Sequence, residues 1–260
     1  MTYCVGMLMD AGLVFLSDTR TNAGVDQINT FRKMTVFERR GQRVMVLLSA
    51  GNLAVTQAVV TLLHERMAGE GDSLLRAPNL FEAARHVGDC VREVHRRDAD
   101  SLRAFGIDFN VSLIFGGQIA GEAPRLFNIY AAGNFVEATP DTPYFQIGES
   151  KYGKPIIDRI FRHHTPLQEA AKCALISMDS TLKSNLSVGM PLDLAILARD
   201  QLELTCLRRI EADDPYFQRL RTGWSERIQQ AFNALPGLDE AGWCAGPSSG
   251  VLAASVGGSG

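Results

Sequence analysis

Two apolar runs at the start of the chain lack any polar alternation, and they limit the fold more than any other feature. Tyr3 to Met9 is almost wholly apolar, Asp10-Ala11-Gly12 is turn material, and Leu13 to Leu16 is apolar again before Ser17-Asp18-Thr19-Arg20. Two such runs joined by a short turn predict an antiparallel hairpin. A strand with one wet face alternates apolar and polar residues. These strands do not, so both of their faces are expected to be covered. Lys33 to Phe37 and Arg43 to Leu48 predict a second hairpin around Arg39-Arg40-Gly41-Gln42, and the polar residues 21–30 read as a loop.

The period then changes. A helix is expected from Asn52 to about Met67, with Val55, Val59, Leu62 and Leu63 on one face. A second runs from about Asn79 to Arg97, where Leu80, Ala84, Val87, Val91 and Val94 recur at helical spacing and Asn79 suits the N-cap. Strands return at Asn110–Phe115, Arg125–Ala131 and Phe135–Ile147. Helices are expected at Ser150–Phe161 and Pro166–Ser180, strands at Leu192–Ala198 and Leu202–Ile210, and a last helix at Pro215–Leu235. His64, His86 and His95 fall on helices and read as solvated. Hairpins and paired helices exclude a parallel sheet with single crossover helices. The expected class is α+β, a four-layer αββα sandwich of two antiparallel sheets flanked by helix pairs. One domain is expected over residues 1–235, and a Gly/Ser/Ala-rich flexible tail over 236–260.

Composition excludes several functions. Hydrophobic residues are 46% of the 260, enough to offset chain entropy, so disorder is excluded for most of the chain. A net charge of −3 with no basic block gives no support to nucleic acid or anionic membrane as partner. No run approaches the roughly 18 apolar residues of a membrane span. The start has no basic region or cleavage site of a signal peptide, so the expected location is the cytoplasm. The five cysteines are dispersed and contain no C-x-x-C, which disfavours a disulfide framework and a metal site. Gly148 to Pro155 has the outline of a phosphate-binding loop. Pro155 stands where a hydroxyl must hold magnesium, so nucleotide binding is not expected.

The chemistry concentrates at the N-terminus. Loss of Met1 would leave Thr2 with a hydroxyl and a free α-amine on one residue. That amine has a pKa near 8, against roughly 10 for lysine, and is the natural base for the hydroxyl. Asp18 ends the strand paired with the first, and Lys33 opens the third, so hairpin geometry can bring both beside Thr2. Gly51 precedes a helix N-terminus, where backbone N–H groups favour an oxyanion.

At this point the chain resembles the proteasome-type N-terminal nucleophile hydrolases. The matching segments are the threonine after Met1, SDTR at 17–20, FRKM at 31–34, LLSAGN at 47–52, FQIGESKYGKP at 145–155 and ISMDSTLKSNLSVGMPLDLAIL at 176–197. They span residue 1 to about 235. Within the family the chain is similar to the bacterial ancestral β-subunit group (Anbu, or bacterial proteasome homologue). The resemblance implies Thr2 as nucleophile, its α-amine as base, Asp18 and Lys33 as the activating pair, and the Gly51 N–H as oxyanion donor. Lys33 lies one residue closer to Thr2 than the usual family spacing. A serine, an aspartate and a second serine support the site in the family. Asp179 matches the aspartate. Ser150 falls one residue late, with Glu149 in the aligned place, and the second serine is Ser180 or Ser184. The side-chain pocket is implied at Thr21, Phe31, Ser49 and Leu53, none charged.

The implied function is a self-compartmentalising, proteasome-like threonine-type endopeptidase acting on peptide or unfolded-protein substrates, with no cofactor and no metal. The implied partners are copies of the chain, as a ring-like or helical lock-washer homo-oligomer, and an ATPase unfoldase. Two other readings use the same fold: an amidohydrolase of narrow substrate range, and a catalytically weak assembly or scaffold protein.

Overall fold

A computed structural model describes residues 2–22 and 28–238. Met1, whose removal the expected chemistry needs, and residues 239–260 of the expected tail lie outside the described residues. Strands β1 (Tyr3–Met9), β2 (Gly12–Asp18), β3 (Arg20–Asn22), β4 (Ile28–Thr30), β5 (Met34–Arg39) and β6 (Arg43–Gly51) lead into helices α1 (Leu53–Ala68) and α2 (Leu80–Ala104). Strands β7 (Val111–Ile119), β8 (Arg125–Ile129), β9 (Phe135–Glu137) and β10 (Tyr144–Gly148) follow, then α3 (Lys154–Ile160) and α4 (Leu167–Ser184). Strands β11 (Leu192–Ala198) and β12 (Cys206–Ile210) precede α5 (Pro215–Asn233). Backbone contacts divide the described chain after Gln218. Both sheets and the first four helices belong to the first unit. Residues 219–238 carry the rest of α5, where Ile228 and Phe232 are exposed.

One antiparallel sheet has the order β10-β1-β2-β11-β12 and the other β5-β6-β7-β8-β9. The β1–β2 hairpin sits inside the first sheet, with Cys4 opposite Ser17. Every residue of both strands is buried, as the unbroken apolar pattern requires. Helix α4 covers one face of this hairpin and the second sheet covers the other. Phe15, Leu13 and Leu8 meet Val44, Val46 and Ile114 between the sheets. Helices α1 and α2 close the outer face of the second sheet, where Val55, Val59, Val87 and Val91 pack on Met45, Leu47 and Phe115. The result is the αββα sandwich. Among the described residues no helix is long and apolar enough to cross a membrane.

Several elements depart from the sequence expectation for local reasons. Arg20–Asn22 and Ile28–Thr30 pair as a small two-stranded ladder within the expected loop. It carries no apolar periodicity, and backbone pairing plus the Thr21 hydroxyl on the Asn29 carbonyl (3.0 Å) define it. Helix α2 continues past Arg97 to Ala104, because no breaker occurs before Gly106. Asn79 caps it as expected, accepting from the Glu82 N–H at 2.8 Å. Helix α3 begins at Lys154 instead of Ser150, after Gly148 turns the chain at φ +80°. Strand β12 begins at Cys206, because Asp200 and Leu202 take positive φ values of 66° and 52°. His86, expected to be solvated, is buried on the covered face of α2 beside Ala83 and Val87. Helix α4 extends to Ser184, which puts Asp179 inside its buried face and not in its last turn.

Candidate active site

The end of the first hairpin places Asp18 level with Tyr3, the residue after Thr2. The Tyr3 N–H donates to Asp18 Oδ1 at 3.0 Å. Lys33 Nζ donates to the same oxygen at 2.7 Å and to the Arg20 carbonyl at 2.7 Å. The Gly189 N–H donates to Asp18 Oδ2 at 3.3 Å. Asp18 is 0% exposed and Lys33 5%. Burial pushes the Asp18 carboxyl above its ordinary range, and the Lys33 ammonium and the two backbone N–H groups oppose that push. An ammonium has three protons, so two of these bonds leave Lys33 one more to donate.

Thr2 is half-buried and lines two adjoining cavities. The first, about 480 Å³, also holds Lys33, and its wall contains all four expected pocket residues, Thr21, Phe31, Ser49 and Leu53. Arg32 also touches that wall, a charge the four residues lack. The second, about 810 Å³, is lined by Thr21 and Gly51 among others. Thr2, Asp18, Lys33 and Gly51 are therefore brought together. Gly51 holds φ +116°, and a Cβ there would stand 2.3 Å from the Asn110 carbonyl, so only glycine fits.

The supporting residues are placed differently. Ser150 is half-buried, and among the described residues it makes only backbone bonds: its N–H donates to the Gly148 carbonyl (3.1 Å) and its carbonyl accepts from the Lys154 N–H (3.0 Å). Ser184 is the exposed last residue of α4. Asp179 is buried, with Lys183 Nζ at 3.5 Å. None of these three lines either cavity. Glu149, in the place aligned with the family serine, is buried, and its carboxylate accepts from Asn185 Nδ2 at 2.9 Å.

Sequence reasoning missed what fixes the N-terminal strand. The Glu149 N–H donates to the Thr2 carbonyl at 2.7 Å. The Tyr3 hydroxyl meets Ser177 Oγ on α4 at 2.9 Å and accepts from Gln146 Nε2 at 2.6 Å. One signal was available: Ser177 is a polar residue, with Asp179 and Thr181, on the mostly apolar buried face of α4. Cys4 is fully buried and burial pushes its thiol up, so it is no rival nucleophile.

Gly148 offers a direct test of this anchoring. It holds φ +80°, and a Cβ there would lie 2.0 Å from the Thr2 carbonyl oxygen. Gly41 holds φ +72° with open space around it. Gly41→Ala is expected to cost only the left-handed penalty, roughly 1–2 kcal/mol. Gly148→Ala is expected to cost more, by about 1–3 kcal/mol of strain. Urea unfolding of both variants measures the difference, and equal losses would refute the contact.

The protein-family model described as Proteasome subunit matches residues 2–197. A structure of Anbu (ancestral beta-subunit) from Yersinia bercovieri is 54% identical, with TM-score 0.86, covering 90% of this chain and 98% of that one. The helical assembly of the Anbu complex from Pseudomonas aeruginosa is 50% identical, with TM-score 0.87, covering 90% of this chain and 97% of that one. Proteasome subunit beta 2 of Nitrosopumilus maritimus (strain SCM1) is 24% identical over 209 residues, which is 78% of this chain and 89% of that protein. The family model covers more than half of the chain and the αββα sandwich matches the solved structures, so this chain belongs to the proteasome subunit family, with the Anbu proteins as its similar relatives.

Proposed function

We propose that this protein is a threonine-type peptidase that acts through Thr2 after removal of Met1 and assembles with copies of itself. The carrying observation is the buried Lys33–Asp18 pair, at 2.7 Å, tied to the backbone beside Thr2 and facing an open cavity. Burying an ion pair is expensive, and one kept at a cavity wall marks a functional site.

In this reading the α-amine takes the Thr2 hydroxyl proton as Oγ attacks the scissile carbonyl carbon. The carbonyl π electrons move to oxygen, and the Gly51 N–H stabilises the resulting oxyanion. The C–N bond then breaks, the leaving nitrogen takes the proton held by the α-amine, and an ester remains on Thr2. Water attacks that ester with the same amine as base and restores the hydroxyl. The Lys33 charge favours the deprotonated forms of the hydroxyl and amine, and Asp18 holds the lysine in place. Asp179 is proposed as supporting polar group on α4. Ser177, which meets the Tyr3 hydroxyl, is better supported than the exposed Ser184 as the hydroxyl that steadies the first strand.

The larger cleft, lined by Thr21 and Gly51, has room for an extended chain, so the proposed substrate is a peptide or an unfolded protein. An ATPase unfoldase is the class of partner that would deliver it. Its relative from Pseudomonas aeruginosa is described as a helical assembly, and this supports a helical homo-oligomer here.

Intact-protein mass before and after exposure to a peptide epoxyketone tests the reading, because that warhead needs both the hydroxyl and the free amine. The expected result is loss of the Met1 mass and one adduct per chain. Retained Met1, or a free Thr2 terminus without adduct, would overturn it. The neutral residues Thr21, Phe31, Ser49 and Leu53 lead to a further expectation: cleavage after neutral or apolar residues such as leucine. A peptide-library profile led by lysine or aspartate at that position would refute this.

A further inference from the structure

Behind the site, on the other face of β5, lies a groove of about 380 Å³ between the edge strands β5 and β12, which the peptidase reading does not use. Asp193 of β11 lines it, together with Arg32, Met34, Val36 and Arg209. Asp193 is paired across the sheet with Ser17 on one side and Arg209 on the other, one position along from Leu192, which is opposite Asp18. Its residue exposure is 7%, and its Oδ2 atom is buried without a hydrogen-bond partner. Its Oδ1 atom has only a long contact, 3.5 Å, to Arg209. A buried carboxylate oxygen left unsatisfied is costly, so this one exerts a strong pull on any donor that can reach it.

Three guanidinium groups line the groove. Arg208 is taken by Asp214 at 2.6 Å, and Arg209 is shared with Glu211 at 3.4 Å. Arg32 has no ion pair among the described residues and lines the same groove as Asp193, whose carboxyl is pushed up by burial, with the Arg209 and then the Arg32 charge opposing. Arg32 is in step with Met34 and Val36, which face the intersheet side, and it lies between Phe31 and Lys33. The Phe31 N–H is anchored on the Thr19 carbonyl at 2.7 Å, and the Lys33 carbonyl on the Ser49 N–H at 2.9 Å. Arg32 makes no backbone hydrogen bond among the described residues, so only its exposed side chain, at the groove, is left to hold the middle of this irregular stretch.

We propose that Asp193 is a positioning residue, whose buried carboxylate draws Arg32 and thereby fixes the Phe31–Lys33 stretch that carries a pocket wall and the site's lysine. For its rate readout this inference rests on the peptidase reading; its geometric readout does not.

The experiment compares Asp193→Asn, Arg32→Gln and the double variant in the full chain. The probe is a peptide epoxyketone with leucine beside the warhead, followed by intact mass over time and concentration. Each single variant is expected to lower the maximal rate of adduct formation about tenfold, since small misplacements of reacting groups carry large rate costs. The double variant is expected to be no slower than the worse single one, as coupled residues are. Arg32→Lys, which keeps the charge, is expected to recover part of the rate. A lowered melting temperature with wild-type rates, or rate losses that multiply in the double variant, would overturn the proposal. A crystal structure of Asp193→Asn reads the positioning without chemistry. The Lys33 Nζ to Asp18 Oδ1 contact, 2.7 Å here, is expected to lengthen, and its retention would overturn the proposal. If Asp193→Asn does not fold, Arg32→Gln, at an exposed position, provides both readouts. A wild-type protein that gives no adduct refutes the peptidase reading, and the crystal structure then decides the positioning.

Discussion

Thr2→Ala is expected to remove epoxyketone labelling and to lower peptide hydrolysis by about ten-thousand-fold or more, the scale seen when one member of a nucleophile–base unit is deleted. Alanine is also a small second residue, so removal of Met1 and the α-amine it exposes are retained. The variant therefore isolates the hydroxyl. Its stability is expected to change by less than about 1 kcal/mol, because Thr2 is half-buried and its backbone carbonyl, not its side chain, accepts the bond from Glu149. Thr2→Ser, which keeps a hydroxyl on the same carbon, is expected to keep the adduct. Hydrolysis that survives Thr2→Ala at the wild-type rate would refute the assignment. Cys4 cannot account for such a rate, since it is sealed between the sheets with its thiol pushed up by burial.

Lys33→Ala is expected to damage both stability and activity. It leaves the Asp18 carboxylate, 0% exposed, without its counter-charge. Removing one partner of a buried pair costs about 3–5 kcal/mol. Solvent screening does not soften this figure, since Lys33 is itself only 5% exposed. The pH dependence has a definite sign. Burial already raises the Asp18 pKa, and loss of Lys33 removes the largest opposing influence, so the pKa rises further. A carboxyl whose folded pKa lies above its unfolded value favours folding below the unfolded pKa, and that contribution is lost as pH rises through the folded one. The destabilisation by Lys33→Ala is therefore expected to shrink as pH falls from neutral toward the carboxylate range. Melting temperatures of the variant and wild type across that range measure it, and a pH-independent gap would refute the buried ionised pair. Adding Asp18→Asn to Lys33→Ala is expected to restore part of the stability, because it removes the orphaned charge. Lys33→Arg is not expected to restore activity. One Nζ serves both Asp18 Oδ1 and the Arg20 carbonyl, and a planar fork does not reproduce that point of convergence.

The amino-acid sequence by itself determined what depends on local periodicity and on strand ends. Unbroken apolarity in Tyr3–Met9 and Leu13–Leu16 already required cover on both faces, and paired helices with hairpins required the four layers. Asp18, Lys33 and Gly51 were legible because each sits at a strand boundary, where a hairpin fixes the neighbours within a few residues. The pocket residues Thr21, Phe31, Ser49 and Leu53 were legible only through the family resemblance, which aligned them with its motifs. Tertiary structure alone decided which distant groups complete the site. The Gly189 N–H reaches an Asp18 oxygen across 171 positions, and Ser177 reaches the Tyr3 hydroxyl across 174. Glu149 turned to Asn185, and Arg32 and Asp193 came to line one groove, through the packing of separate layers. Periodicity records whether a residue faces a core, but not which partner waits there. That partner is set by strand order and by the stacking of one sheet on another, long-range choices that no local pattern in the chain encodes.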